Sequence, residues 1–125
     1  MEARFIDNLI RRNVDGIIFS RVSDESHVLR IMDDTHIPVV IIDRALENED
    51  VPSVILDNYK AGQMAAEYFL KIGHRNIGCV TGPLNISLSR ERLMGFKDTL
   101  IKYGINIEDG DIYEGNFKFE SGVMA

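Results

Sequence analysis

Pro38-Val39-Val40-Ile41-Ile42-Asp43 is the stretch on which the fold turns. Four β-branched residues follow one another with no polar alternation. A continuous apolar run of this kind suits a parallel strand buried on both faces, whereas a half-exposed strand would alternate. Upstream, Val14-Asp15-Gly16-Ile17-Ile18-Phe19-Ser20 has the same character. Downstream, Ser53-Val54-Ile55-Leu56-Asp57 and Asn76-Ile77-Gly78-Cys79-Val80-Thr81 repeat it. The second of these is closed by a Gly82-Pro83 turn, and residues 112–115 give a last short strand.

The segments between these runs have helical period. Phe5, Ile6, Leu9 and Ile10 form an apolar stripe over residues 3–13. Ser23 or Asp24 can cap a helix carrying Val28, Leu29 and Met32, and a polar stretch follows at 45–50. Ala61, Met64, Ala65, Tyr68, Phe69 and Ile72 mark the next helix, with Gly73 placed as its terminating glycine. Ser87 or Ser89 opens a long helix with Leu93, Phe96, Leu100 and Tyr103 facing inward, ended by Gly104. Residues 120–125 read as a first helical turn. Strand and helix thus alternate, which predicts an α/β protein: parallel sheets with helices on both faces, joined by right-handed crossovers. The register starts and stops on helices rather than on a strand, so the expectation is a stretch from the middle of a larger domain.

Composition narrows the function. With 125 residues, 45% of them hydrophobic, the chain is one domain's worth or less and is not of disordered type. Lys and Arg (14) are outnumbered by Asp and Glu (20), and the cations are scattered. A net charge of −6 is the wrong sign for displacing counterions from nucleic-acid phosphates, so direct DNA binding by these residues is not expected. Cys79 is the single cysteine; it rules out an internal disulfide, and His27, His36 and His74 do not stand at zinc-ligand spacing from it. Inside an apolar run it reads as a small hydrophobe. No stretch is long and apolar enough to span a membrane, and the first residues lack a signal-peptide pattern, so the expected location is cytoplasmic. No metal and no cofactor are expected.

Parallel α/β sheets bind ligands at the carboxyl ends of their strands. Those ends hold Ser20, Asp43, Asp57-Asn58, Gly82-Pro83 and Gly115-Asn116-Phe117, with Arg92 in the first turns of the helix that follows Gly82-Pro83. Carboxylates, a guanidinium, small polar groups and an aromatic ring suit a polyol. Each has a plainer reading. Asp43 can cap a turn, Asp57-Asn58 can cap the following helix, Arg92 beside Arg90 and Glu91 fits a solvated face, and Phe117 fits a core. No nucleophile–base pair can be assembled, and Gly62, Gly82 and Gly95 lack the spacing of a phosphate-binding loop, so a flavodoxin-like or Rossmann-type enzyme is disfavoured.

Together these residues resemble a known family. Asp57-Asn58, Gly62, Ala65-Ala66, Gly73-His74-Arg75-Asn76-Ile77 and Gly82-Pro83-Leu84 are similar to the stretch that links the two subdomains of lactose-repressor-type transcription regulators. Arg90-Glu91-Arg92-Leu93-Met94-Gly95-Phe96 resembles the family's next helix, the two upstream strands match, and Gly115-Asn116-Phe117 before Glu120-Ser121-Gly122 matches downstream. The likeness covers nearly the whole chain.

The resemblance implies a three-layer, periplasmic-binding-protein-like fold of type I, here truncated. Residues 1–57 would belong to the N-terminal and 58–125 to the C-terminal effector-binding subdomain, with Asp57 and Asn58 at the hinge. It implies effector contacts at Arg92 and Phe117, strand-end contacts at Asp43 and Ser20, and a small-molecule effector, a pentose or other sugar, closing the cleft. Ile86 and Leu88 are apolar where several relatives are polar, which leaves Ser87 and Ser89 as hydroxyl donors. The DNA-binding headpiece has no counterpart here, so DNA would be a partner only through a segment outside this stretch. A homodimer or higher oligomer is expected, because missing strands leave sheet edges and apolar faces that favour association. A periplasmic sugar-binding protein of a transport system, with the same two-lobed architecture, is the alternative.

Overall fold

The computed structural model describes residues 2–20, 35–43 and 51–125; the helix expected from Ser23 or Asp24 to about Thr35, up to residue 34, and the polar stretch at 45–50 lie outside them. The chain divides into two units, Met1–Leu56 and Asp57–Ala125.

In the first unit, helix α1 (Glu2–Arg11) precedes strand β1 (Ile17–Ser20), and β2 (Val39–Asp43) and β3 (Ser53–Ile55) complete a parallel sheet of order β1-β2-β3. Ile17 pairs with Val39 and Ser20 with Ile42, while Asp43 lies opposite Ile55. Ile17, Val39 and Ile41 form the buried centre, packed by Val14, Phe19, Ile37 and Val51. The two-sided burial expected from the apolar runs is only half met: Ile18 is 76% exposed and β3 is exposed throughout. Burial along β1 and β2 alternates with the pleat, because successive side chains point to opposite faces.

In the second unit, α2 (Asn58–Lys71) leads to β4 (Cys79–Thr81), α3 (Ser87–Lys102), β5 (Ile112–Glu114) and α4 (Phe119–Met124). β4 and β5 are parallel, with Cys79 opposite Ile112 and Thr81 opposite Glu114. Ala66, Phe96, Leu100 and Ile107 form the core, with Leu70, Ile77, Cys79, Ile105 and Ile112 packed around it. Burying a side chain such as Phe96 or Leu100 contributes about 1.5–3 kcal/mol.

Both long helices end as their glycines predict. Gly73 and Gly104 take φ of 93° and 76°, a conformation other residues adopt only under strain. His74 N–H then reaches Phe69 O and Ile105 N–H reaches Leu100 O, satisfying carbonyls left open in the last turn. The apolar stripe of α2, by contrast, does not mark its buried face. Met64 and Tyr68 are exposed, and the face turned inward carries Asn58, Gly62 and Ala66. Its neighbour α3 approaches too closely for large side chains. A Cβ at Gly62 would run into the Arg92 carbonyl, and one at Gly95 into the Tyr59 carbonyl. Tyr103, expected inward, is exposed for a related reason: Phe96, Thr99 and Leu100 hold the buried face of α3.

Asp57 is the N-cap of α2, its Oδ1 accepting from Lys60 N–H at 2.8 Å. Asp57→Ala is expected to lower the stability of the second unit by about 1 kcal/mol, read as a drop in melting temperature. α3 departs from expectation. Neither Ser87 nor Ser89 caps it; Ile86 holds the cap position with no side-chain hydrogen bond.

Candidate functional site

The parallel register of β4 and β5 sets Gly82 and Gly115 side by side at the carboxyl edge of the sheet, where Gly115 N–H donates to Thr81 O at 2.9 Å. Beyond that edge the second unit holds a cavity of about 520 Å³, within the size range of small-molecule pockets. Gly62 and Ala65 of α2, Cys79 and Thr81 of β4, and Phe96 of α3 give it a largely apolar wall. Three of the residues singled out in the sequence, Ser89, Arg92 and Phe117, meet on it.

Arg92 stands one turn beyond the start of α3, and its Nε donates to Asn58 Oδ1 at 2.8 Å. Asn58 is buried at the first position of α2, so a fixed amide holds the inner edge of the guanidinium. The terminal nitrogens of Arg92 have no partner among the described residues. The side chain is solvent-exposed, as a reading of its charged neighbours suggests, and lines the cavity as well. Asp57 and Asn58 therefore separate: the first caps the start of α2, the second orients the arginine.

Phe117 is 63% exposed and takes φ of 62°. Left-handed backbone is uncommon for an aromatic residue and costs on the order of 1–3 kcal/mol. The tip of its ring stands so close to Gly82 that a Cβ there would collide with it. Ser89 is 4% exposed, and its Oγ is a buried polar atom without a hydrogen-bond partner. Most buried polar groups are paired, so an orphan beside a cavity marks a place for a ligand atom.

Lys118 was not singled out by sequence reasoning, yet it joins the lining next to Phe117. Adjacency to a recognised aromatic was the available signal. Cys79, read as a buried hydrophobe, is half-buried and faces the cavity, and burial pushes its thiol pKa up, away from thiolate chemistry. Tyr59 closes α2 against α3 from outside, its hydroxyl donating to Asp98 Oδ2 at 2.9 Å; that bond holds its pKa above the usual value.

Ser20 and Asp43 belong to the first unit. Because Ser20 pairs with Ile42, Asp43 stands one position further along the same edge of the sheet. Asp43 is half-buried, with φ of 75°. Among the described residues no cluster of three or more His, Cys, Asp or Glu could hold a metal ion, and no helix is long and apolar enough to cross a membrane.

The family model of periplasmic binding proteins and the sugar binding domain of the LacI family matches residues 1–125. The HTH-type transcriptional repressor PurR of Salmonella paratyphi B is 31% identical over 123 residues, 97% of this chain and 36% of that protein. Among solved structures, a sugar-binding LacI-family regulator from Escherichia coli complexed with phosphate is 27% identical with a TM-score of 0.74, covering 99% of this chain and 45% of its own. The regulator CelR in its cellobiose complex is 27% identical with a TM-score of 0.76, covering 98% and 38%. The chain thus spans about a third of the length of the curated relatives it matches. Its α/β units with parallel strands agree with these folds, and the chain belongs to the family of periplasmic binding proteins and LacI-type sugar-binding domains.

Proposed function

We propose that this chain is part of the effector-sensing core of a LacI-type transcription regulator. Relatives named as transcriptional repressors and regulators, matched over nearly all of its length, support this reading. The observation that carries the site is the pairing of a clamped but unsatisfied Arg92 with the exposed, strained ring of Phe117 across one cavity. A guanidinium fixed at one edge by Asn58 offers its remaining donors as a preorganised fork, and the ring offers an apolar face for a sugar or similar small molecule. Ser89 adds a hydroxyl. We assign the same role to Ser20 and Asp43 on the ground of the strand-end position each holds in its own sheet.

Residues 1–57 and 58–125 are assigned to the N- and C-terminal effector-binding subdomains, with Asp57 and Asn58 at the hinge. Effector binding shifts an existing equilibrium between DNA-competent and released states by as much as the effector's difference in affinity for the two. Operator contact belongs to a headpiece and not to these acidic residues. A cytoplasmic homodimer is the working form, and the effector is a pentose or other sugar; cellobiose in the CelR complex supports the sugar class. The chain senses its ligand and does not transform it.

Titration calorimetry of the whole protein against pentoses, hexoses and purines tests this. Arg92→Ala is expected to weaken the hit at least tenfold, about 1.4 kcal/mol. Unchanged affinity in that variant would remove Arg92 from the site.

A further inference from the structure

Among the described residues, the charged groups lining the cavity of the second unit are Arg92 and Lys118, with no carboxylate beside them. In a chain of net charge −6 this is a local reversal of sign. Resting on the effector-site reading above, we infer that this cavity takes the anionic group of a phosphorylated or carboxylated small molecule, held by Arg92, Lys118 and Ser89.

A neutral polyol presents hydroxyl protons as well as lone pairs and needs acceptors in its site. Here no carboxylate lines the cavity, and two of the lining hydroxyls are already bonded to backbone. Ser121 Oγ accepts from Asn116 N–H at 3.2 Å and donates to Lys118 O at 2.9 Å, and Thr81 Oγ1 donates to Gly82 O at 2.8 Å. Two carboxylates of adjoining segments are turned to backbone amides: Glu114 Oε1 accepts from Leu84 N–H at 2.7 Å, and Asp57 Oδ1 from Lys60 N–H. The charged groups left over are donors only. The terminal nitrogens of Arg92 and Lys118 Nζ have no partner among the described residues, and Ser89 Oγ is buried without one. A cluster of unused donors matches a group that only accepts, which is an oxyanion.

The helix that carries two of these groups adds the same sign. α3 begins with no side-chain oxygen on its first amides and no acidic residue in its first turn. The positive end of its dipole is therefore uncompensated by the chain itself.

The test is calorimetry of the whole protein with matched pairs: ribose against ribose 5-phosphate, and glucose against glucose 6-phosphate and gluconate. The charged member of a pair is expected to bind at least about tenfold more tightly than its neutral parent, with the preference shrinking as sodium chloride is raised. Preference for gluconate or for the phosphates tells which oxyanion the site is built for. Lys118→Gln is expected to weaken the charged ligand about threefold and to leave the neutral one unchanged. Ser89→Ala is expected to weaken the charged ligand without lowering the melting temperature, since the lost hydroxyl had no partner in the empty site. If none of these sugars binds, inorganic phosphate should still raise the melting temperature above that in chloride of equal ionic strength, and Lys118→Gln should abolish the rise.

Equal or tighter binding of the neutral members overturns the inference. So does the absence of charged-sugar binding together with no phosphate-specific stabilisation. A neutral preference that still depends on Arg92 would remove the anion and leave the effector site standing, whereas binding of any member indifferent to Arg92→Ala would remove the site itself.

Discussion

Gly95→Ala is expected to lower the stability of the second unit by about 2 kcal/mol, and Gly95→Val by about 3 kcal/mol or more. The sign is the informative part, because two effects oppose. Alanine in a helix interior is favoured over glycine by about 1 kcal/mol, so an exposed position would gain. Gly95 is not exposed: a Cβ there would collide with the backbone carbonyl of Tyr59, and Gly62 repeats the situation against the carbonyl of Arg92. A carbonyl in a helix cannot swing aside as the end of a long side chain can. The helices must separate, and separation opens space around Ala66, Phe96 and Leu100, the centre of the core. Against a total stability of about 5–15 kcal/mol, the valine variant approaches the limit of folding. Thermal unfolding checks it, at about 4–8 °C for each kcal/mol in a domain of this size. Gly110→Ala is the control, since a Cβ there meets open space. Equal melting temperatures for Gly95→Ala and Gly110→Ala would show that the helices are not in such close contact.

The same pair of glycines explains where sequence reasoning ran out. Strand positions were legible because uninterrupted Val and Ile runs have few alternatives, and helix ends because Gly73 and Gly104 sit where carbonyls must be satisfied. The inward face of α2 was not legible. Hydrophobicity ranks Met64 and Tyr68 above Gly62, but the face of closest approach is chosen by size, which a hydrophobic stripe does not encode. Arg92 was ambiguous for a different reason. Its sequence neighbours, Arg90 and Glu91, describe a solvated face, while its partner Asn58 lies 34 residues away. No local pattern announces such a bond. Resemblance to a family suggests the effector role proposed for it, and the structure shows the bond to Asn58 and a place on the cavity wall. Lys118 was missed because a lysine beside a loop aromatic is ordinary; only the set of charges around the cavity makes it informative.

Phe117→Gly is expected to separate binding from stability more sharply than any other change in this site. Its φ of 62° suits glycine, so the substitution releases strain on the order of 1–3 kcal/mol. The unfolded chain gains freedom at the same time, which returns about 0.5–1 kcal/mol of that. With the residue 63% exposed, little burial is lost. The net expectation is a melting temperature unchanged or slightly raised. Effector affinity should move the other way. Loss of an apolar face that the ligand would cover removes about 2–3 kcal/mol, which is a weakening of about thirtyfold or more. Phe117→Leu keeps the strain and loses the ring, so it should weaken binding with no gain in stability. A folded state destabilised by more than about 2 kcal/mol in Phe117→Gly would mean that the ring serves the fold, through its contact with Gly82. Unchanged effector affinity with unchanged stability would leave the strain at this position without a purpose in the site. On the proposed site reading, an exposed aromatic kept in a backbone conformation that glycine would fit better is held there for its contact with the effector, and calorimetry of these two variants measures how much that contact is worth.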